Sequence, residues 1–397
     1  MADRAAAVDQ PPRSPVEAGQ DLADLVREHG TPLYAFDLDR VRAQVAALRA
    51  SLPAGMGLLY SVKANPLHPI CALLAGLGLG AEVASPGELD IARQAGFDRR
   101  RILVNGPYKH PDVLAAPSAM LSVDSVSELT QLAARGTPNP LLLRLRPDFA
   151  PACGIPMGPV SRFGIPAIEL DEVSGILREA TLNVVGFHVY AGSQHLRAAD
   201  AVANLRDAYE LSARAAKITG VVPRLLDLGG GFGIPYGPHE PYPLELEPIG
   251  QELERIQARA PGTEIVLELG RYLVAEAGWY VTRVVAEQHY DGRVGLVVDG
   301  GTHHRPDLCG LDLPRKSFPP LLLGPERTGG GRVDVVGCLC LPWDILADDV
   351  PMPPVRVGDL LAFPNSGAYG LSAAPHSFIS HPPPAQVTFE RSRTHHV

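Results

Sequence analysis

No stretch of this sequence approaches the ~18 consecutive apolar residues that a membrane-spanning helix needs. Residues 1–15 are polar and rich in alanine and proline, without the hydrophobic core of a secretion signal. Cysteine is scarce: Cys71, Cys153, Cys309, Cys338 and Cys340 are too few and too scattered for a disulfide framework. Only Cys338 and Cys340 stand close together, and no second Cys or His pair follows at zinc-finger spacing, so no metal is expected. Positive charge is in deficit as well, and a net charge of −9 offers no general attraction to nucleic acid or to an anionic membrane. These absences favour a cytoplasmic protein whose partner is a small molecule.

What the chain does contain is apolar material in an ordinary proportion, 46% hydrophobic against 20% charged residues over 397 positions. That is enough for a large core, and long enough for a barrel of roughly 250 residues with a second domain. From about Thr31 short apolar runs alternate with amphipathic stretches, the signature of β/α units. Val41, Val45, Leu48 and Leu52 share one face of a helix. Candidate buried strands lie at 58–62, 81–84, 102–104, 120–123, 141–145, 184–190, 225–228 and 265–268, with helices at 88–94, 125–134, 170–180, 201–218 and 244–258. Eight repeats favour an α/β fold with a closed (β/α)8 TIM barrel over an open sheet. Beyond residue 268 the pattern turns to strands at 279–285, 294–298, 333–336 and 359–363 between Pro/Gly-rich loops, which predicts a second, all-β domain. The run 328–332 reads as a mobile loop. The expected organisation is a barrel over 31–272 and a β domain over 273–389 joined by 16–30, with disordered ends at 1–15 and 390–397.

Barrel active sites form at the C-terminal ends of the strands, and here those ends are polar. The first runs into Tyr60-Ser61-Val62-Lys63-Ala64-Asn65, the second carries Glu82 and leads through Ser85 to Glu88, and the third meets Asn105. The fifth carries Arg144, the sixth His188 and Tyr190, the seventh Gly229-Gly230-Gly231-Phe232-Gly233, and the eighth Glu268-Leu269-Gly270-Arg271. A lysine at the end of a buried strand is expected to be desolvated toward the amine that imine formation needs, which makes Lys63 a Schiff-base candidate. A snorkelling or salt-bridged lysine is the plainer alternative. The glycine run could meet a phosphate through unhindered backbone N–H groups, or could simply be a tight turn. It lacks the spacing of a dinucleotide fingerprint. His188 and Tyr190, two apart on a strand, point to the same side, and either ring could stack on a flat cofactor.

Taken in order, these motifs, with Gly186-Phe-His188, Ala191-Gly-Ser193-Gln194, Cys340, Asp344 and Gly367-Ala-Tyr369-Gly370, resemble the fold-type III pyridoxal-phosphate decarboxylases. That family includes the diaminopimelate and ornithine decarboxylases and shares its barrel with alanine racemase. The resemblance runs from about residue 31 to 389. It implies that Lys63 carries the Schiff base to pyridoxal 5'-phosphate, that Glu268 pairs with the ring nitrogen, and that Gly230, Gly231, Gly270 and Arg271 hold the phosphate with help from Ser193 and Tyr369. It further implies that Arg144 lies near the ring's phenolic oxygen and that Glu82 and Glu88 occupy acidic positions near the cofactor. Tyr190, not His188, aligns with the usual stacking histidine. Cys340 resembles the catalytic cysteine that reaches the partner subunit's site, so a homodimer with shared sites is implied.

The departures bear on substrate. Cys340 is followed by Leu341-Pro342-Trp343-Asp344 where diaminopimelate decarboxylases place an acidic residue. Arg305-Pro306-Asp307-Leu308-Cys309 carries cysteine where those enzymes have a tyrosine that grips the substrate. Arg305, Cys340 and Asp344 are the expected substrate-side residues. The subgroup most resembled decarboxylates conjugated amino acids, such as citryl-diaminopropionate in siderophore assembly or glutamyl groups on an acyl carrier protein. Diaminopimelate decarboxylation, amino-acid racemisation and a non-catalytic cofactor-binding homologue are the alternatives.

Overall fold

The computed structural model describes residues 15–114, 119–237, 240–241, 243–306 and 318–390. Eight parallel strands close into a barrel: Gly57–Ser61, Gly80–Val83, Ile102–Val104, Met120–Val123, Leu141–Arg144, Val184–His188, Leu225–Gly230 and Glu264–Leu269. The last pairs with the first, Val266 opposite Gly57, and so leaves no open edge. Each of the eight expected apolar runs became a barrel strand.

Alternation along these strands builds the site. Leu59, Leu103, Met120, Leu142, Val185, Leu225 and Val266 form one buried cluster, one residue from each of seven strands. The eighth contributor is Gly80, where a Cβ would lie 2.3 Å from the Arg101 carbonyl oxygen and 2.5 Å from Leu59. Truncating a buried leucine of this layer to alanine costs about 2–5 kcal/mol. Because successive side chains alternate, the next residue on the same face of each strand lies two positions on: Ser61, Glu82, Asn105, Ser122, Arg144, Asp227 and Glu268. On the sixth strand an irregularity in the pairing brings His188 level with Arg144. An apolar layer therefore lies under a polar one, and the polar layer is nearer the C-terminal ends.

Helices return the chain between strands, and two start on reciprocal caps. The Ser85 hydroxyl accepts from Glu88 N at 3.2 Å while Ala84 N donates to Glu88 Oε2 at 2.7 Å, and Ser125, Glu128 and Asp124 N repeat the arrangement.

A second compact unit comprises the described residues among 1–47, 235–240 and 273–397. The barrel domain expected from residue 31 therefore starts later, because Leu33–Asp37 is not a barrel strand. This strand pairs antiparallel with Gly278–Tyr290 and parallel with Ala385–Phe389. All five of its residues are buried, so its composition resembles that of a barrel strand. The remaining sheet runs Leu321–Leu323, Leu360–Phe363, Gly278–Tyr290, Arg293–Val298, Gly331–Val336 and Ile345–Met352. Gly331 and Arg332, expected in a loop, open a strand instead. Helix Pro15–His29 adds Leu22 and Val26 to a core with Leu33, Ala35, Val281, Leu323 and Ala362. Among the described residues no helix is long and apolar enough to cross a membrane.

Candidate active site

Lys63 sits in the single 3-10 turn Val62–Ala64 that follows the first barrel strand. The expected desolvated amine is not what the structure shows, since 45% of the side chain is exposed and Nζ contacts both oxygens of Glu82, at 2.8 and 3.0 Å. The turn lifts the lysine off the strand, while Glu82, still on its strand, stays buried. Asn105 Nδ2 donates to Glu82 Oε1 at 3.1 Å and to Glu268 Oε1 at 2.8 Å. Glu88 is engaged in the helix cap, where burial raises its pKa in spite of the Ala84 N–H.

Glu268 is fully enclosed. Burial alone would raise its pKa, but the charge of His188 close beside it, followed by the charges of Lys63 and Arg144, overcomes that and holds it at about 2. His188 Nε2 stands 3.6 Å from Glu268 Oε2, and its Nδ1 shares a 2.8 Å hydrogen bond with Ser122 Oγ. Asp227, which accepts from Gly229 N at 2.9 Å, is shifted the other way, well above the usual carboxylate range, first by burial and then by repulsion from Glu268. Arg144 donates to Asp124 Oδ1 at 3.0 Å, with its guanidinium 4.9 Å over the Phe163 ring. Asp227, Ser122 and Asp124 were not singled out from sequence, and Asn105 was named at the end of its strand without a role. Counting two positions on from the apolar layer would have found Asp227, Asn105 and Ser122.

The glycine run cannot be replaced by other residues without backbone movement. Gly229 and Gly231 have φ of +68° and +64°, and a Cβ on Gly231 would fall 2.0 Å from the Gly192 carbonyl oxygen. At Gly230 the corresponding distance is 2.7 Å, to Glu268 O, and at Gly270 it is 2.9 Å, to Ala64 Cβ. Arg271 is buried at the start of the short helix Arg271–Val274. Ser193 lies on the two-residue strand Gly192–Ser193, paired with Ile155–Pro156. Tyr190 is partly buried beside Gly229, whereas His188 is in the interior layer on Glu268. The side chain of Gln194 mimics a strand partner, giving and taking hydrogen bonds with Ile234 backbone at 2.7 and 3.2 Å.

The remaining expected site residues belong to the second unit. Cys340 is exposed. Asp344 is buried, and its oxygens accept from Thr302 N, Thr302 Oγ1 and Leu339 N at 2.7, 2.7 and 2.8 Å, so it joins two loops. Arg305, also buried, donates to Pro364 O at 3.1 Å and to Ser366 Oγ. Tyr369 has a left-handed φ of +55°. Asp307, Leu308 and Cys309 lie outside the described residues.

The family model for the pyridoxal-dependent decarboxylase, pyridoxal binding domain, matches residues 38–275. The chain is 34% identical over 388 residues to the L-glutamyl-[BtrI acyl-carrier protein] decarboxylase of Niallia circulans, covering 92% of this chain and 90% of that one. It is also 34% identical over 404 residues to the diaminopimelate decarboxylase of Actinosynnema pretiosum subsp. auranticum, covering 92% and 86%. The structure of diaminopimelate decarboxylase from Helicobacter pylori complexed with L-lysine superposes with a TM-score of 0.83 at 25% identity, over 94% of each chain. The residues present suit pyridoxal phosphate: glycines whose backbone no side chain could shield, a lysine amine at the mouth, and a buried carboxylate held ionised below it. The chain belongs to the pyridoxal-dependent decarboxylases.

Proposed function

We propose that Lys63 holds the cofactor and that the substrate is an amino acid carried on a larger partner, a glutamyl group on an acyl carrier protein being the nearest case. The observation that supports this is the relative from Niallia circulans, alike over nine-tenths of both chains, whose name gives that activity. The replacement of an acidic residue after Cys340 by Leu341 agrees with it. A citryl-conjugated diamino acid, in siderophore or other specialised-metabolite synthesis, fits the same features. Free diaminopimelate is the second reading, favoured by the 34% identical relative from Actinosynnema.

Pyridoxal phosphate supplies the electron sink when carbon dioxide leaves. Glu82 orients Lys63 Nζ toward the mouth, and Glu268 offers a permanent anion to the ring nitrogen. The backbone at Gly230, Gly231 and Gly270, with Ser193 and Arg271, holds the phosphate. Arg144, fixed by Asp124 and Phe163, supplies positive charge to the ring's phenolic side.

Two measurements test this reading. Borohydride should fix the cofactor to Lys63 in the parent and to no lysine in Lys63→Ala. Carbon dioxide release should be at least about tenfold faster from glutamyl-carrier protein than from free glutamate or diaminopimelate, a discrimination of ~1.4 kcal/mol. Faster release from free diaminopimelate would select the second reading.

A further inference from the structure

We propose that Asn105 is a positioning residue that fixes Glu82 and Glu268 relative to each other, so that the carboxylate facing Lys63 and the one assigned to the ring nitrogen act as one unit. The inference rests on the reading that this site holds pyridoxal phosphate. Asn105 follows the third strand, is 6% exposed, and is anchored by its own N–H to Val83 O at 2.8 Å. Its single amide nitrogen carries two hydrogens. One goes to Glu82 Oε1 at 3.1 Å and the other to Glu268 Oε1 at 2.8 Å, which uses its whole donor capacity. The opposite amide orientation would set an oxygen against two carboxylates, so the acceptors dictate the one observed. Its Oδ1 has no hydrogen-bond partner among the described residues, so the amide is held by the carboxylates alone.

The chemistry favours a neutral donor here. An acid would add a negative charge to a layer that already holds Glu82, Asp227 and Glu268, and a lysine would compete with Lys63 for Glu82. The Asn105 hydrogen bond to Glu268 is shorter than the 3.6 Å approach of His188. Charged groups facing Glu268 include His188, Lys63, Arg144 and Asp227, and those facing Glu82 include Lys63, Glu88 and Asp227. Asn105 Nδ2 bonds both carboxylates through one atom. Removing the amide therefore loosens the spacing of the two carboxylates and takes from Glu268 a donor that favours its ionised form.

The test is Asn105→Leu, similar in volume and without donors, loaded with pyridoxal phosphate. The pH dependence of kcat/KM and the pH titration of the cofactor's visible band should both be displaced from the parent's by about one pH unit, because the anion assigned to the ring nitrogen has lost a charge-assisted hydrogen bond and its fixed place. In the cofactor-free protein, the pH at which an amine reagent labels Lys63 should shift as well, since Glu82 is then held by the lysine alone. Should the leucine variant fail to fold, Asn105→Ser serves, because one hydroxyl hydrogen reaches only one carboxylate. Titrations that superimpose on the parent, even with lower kcat, would overturn the proposal. A parent that binds no pyridoxal phosphate would instead overturn the reading on which it rests.

Discussion

Asp227 and Glu268 lie in one buried layer, and their proton affinities are driven apart. Burial and repulsion from Glu268 raise Asp227 well above the usual range, while His188, Lys63 and Arg144 hold Glu268 at about 2 against the effect of burial. An acid with a depressed folded pKa stabilises the fold above its unfolded value of about 4.3, and that contribution disappears as pH falls toward 2. An acid with a raised folded pKa does the reverse. Its contribution is complete below an unfolded value of about 3.9 and is lost as pH rises toward the folded one. At neutral pH Asp227 is thus the destabilising partner. Asp227→Asn keeps an oxygen for Gly229 N and brings an amide donor toward Glu268, so its Tm at pH 7.5 should equal the parent's or exceed it by about 2–4 °C. The advantage should vanish below pH 4. A variant that melts several degrees lower at pH 7.5 would mean that the ionised carboxylate is needed there. Sequence alone passed over this residue because Leu225-Leu226-Asp227-Leu228 reads as an apolar strand with one blemish. Only the layer that Leu225 shares with Leu59, Leu103 and Leu142 marks Asp227, two positions on, as part of the polar one. Lys63 was legible by position but not by environment, since nothing in Ser61-Val62-Lys63 reveals that one 3-10 turn exposes the side chain.

Strands proved readable where both faces are buried and less so where they are not. The barrel runs are short, largely apolar and rich in Val, Leu and Ile, as parallel strands covered by helices are. Strand Ile345–Met352 carries Asp348, Asp349 and Pro351 on a partly exposed edge, and its period is obscured. Leu33–Asp37 was not among the expected strands, and the barrel bound at residue 31 took it in because a buried strand of either unit has the same composition. The glycine turn was ambiguous in sequence between a phosphate cradle and a tight bend, and its geometry allows it to be both. Gly231→Ala tests how much depends on it. The new Cβ would meet Gly192 O at 2.0 Å and the residue would be held at φ +64°, so the turn must open. Affinity for pyridoxal phosphate should fall at least about tenfold, ~1.4 kcal/mol, measured by dialysis and fluorescence recovery. At Gly262, which also has positive φ but no atom within 4 Å of a Cβ, an alanine should leave cofactor affinity unchanged. Equal losses at both positions would attribute the effect to backbone strain in general and not to the turn.

At the scale of the whole molecule, the second unit is assembled from both ends of the described chain: Leu33–Asp37 pairs in parallel with Ala385–Phe389. This unit carries Cys340. A structural role as a small apolar core residue is ruled out by its exposure, in contrast to the partly buried Cys338, whose thiol is pushed up to about 11 by burial and then by Asp344. An exposed thiol is open to another chain, and the family resemblance assigns this one to the partner's site, where it would return a proton to the carbon that loses carbon dioxide. If so, Lys63→Ala and Cys340→Ala homodimers should each be nearly inactive. Mixing them in equal amounts under conditions that allow subunit exchange should restore about a quarter of parental activity, because about half the dimers are then mixed and one site in each is intact. Sedimentation or light scattering must show the dimer under the same conditions. If both residues served the site of their own subunit, every mixed dimer would lack one of them at each site, and mixing would restore nothing. A Cys340→Ala enzyme of full activity would remove the thiol from the reaction altogether.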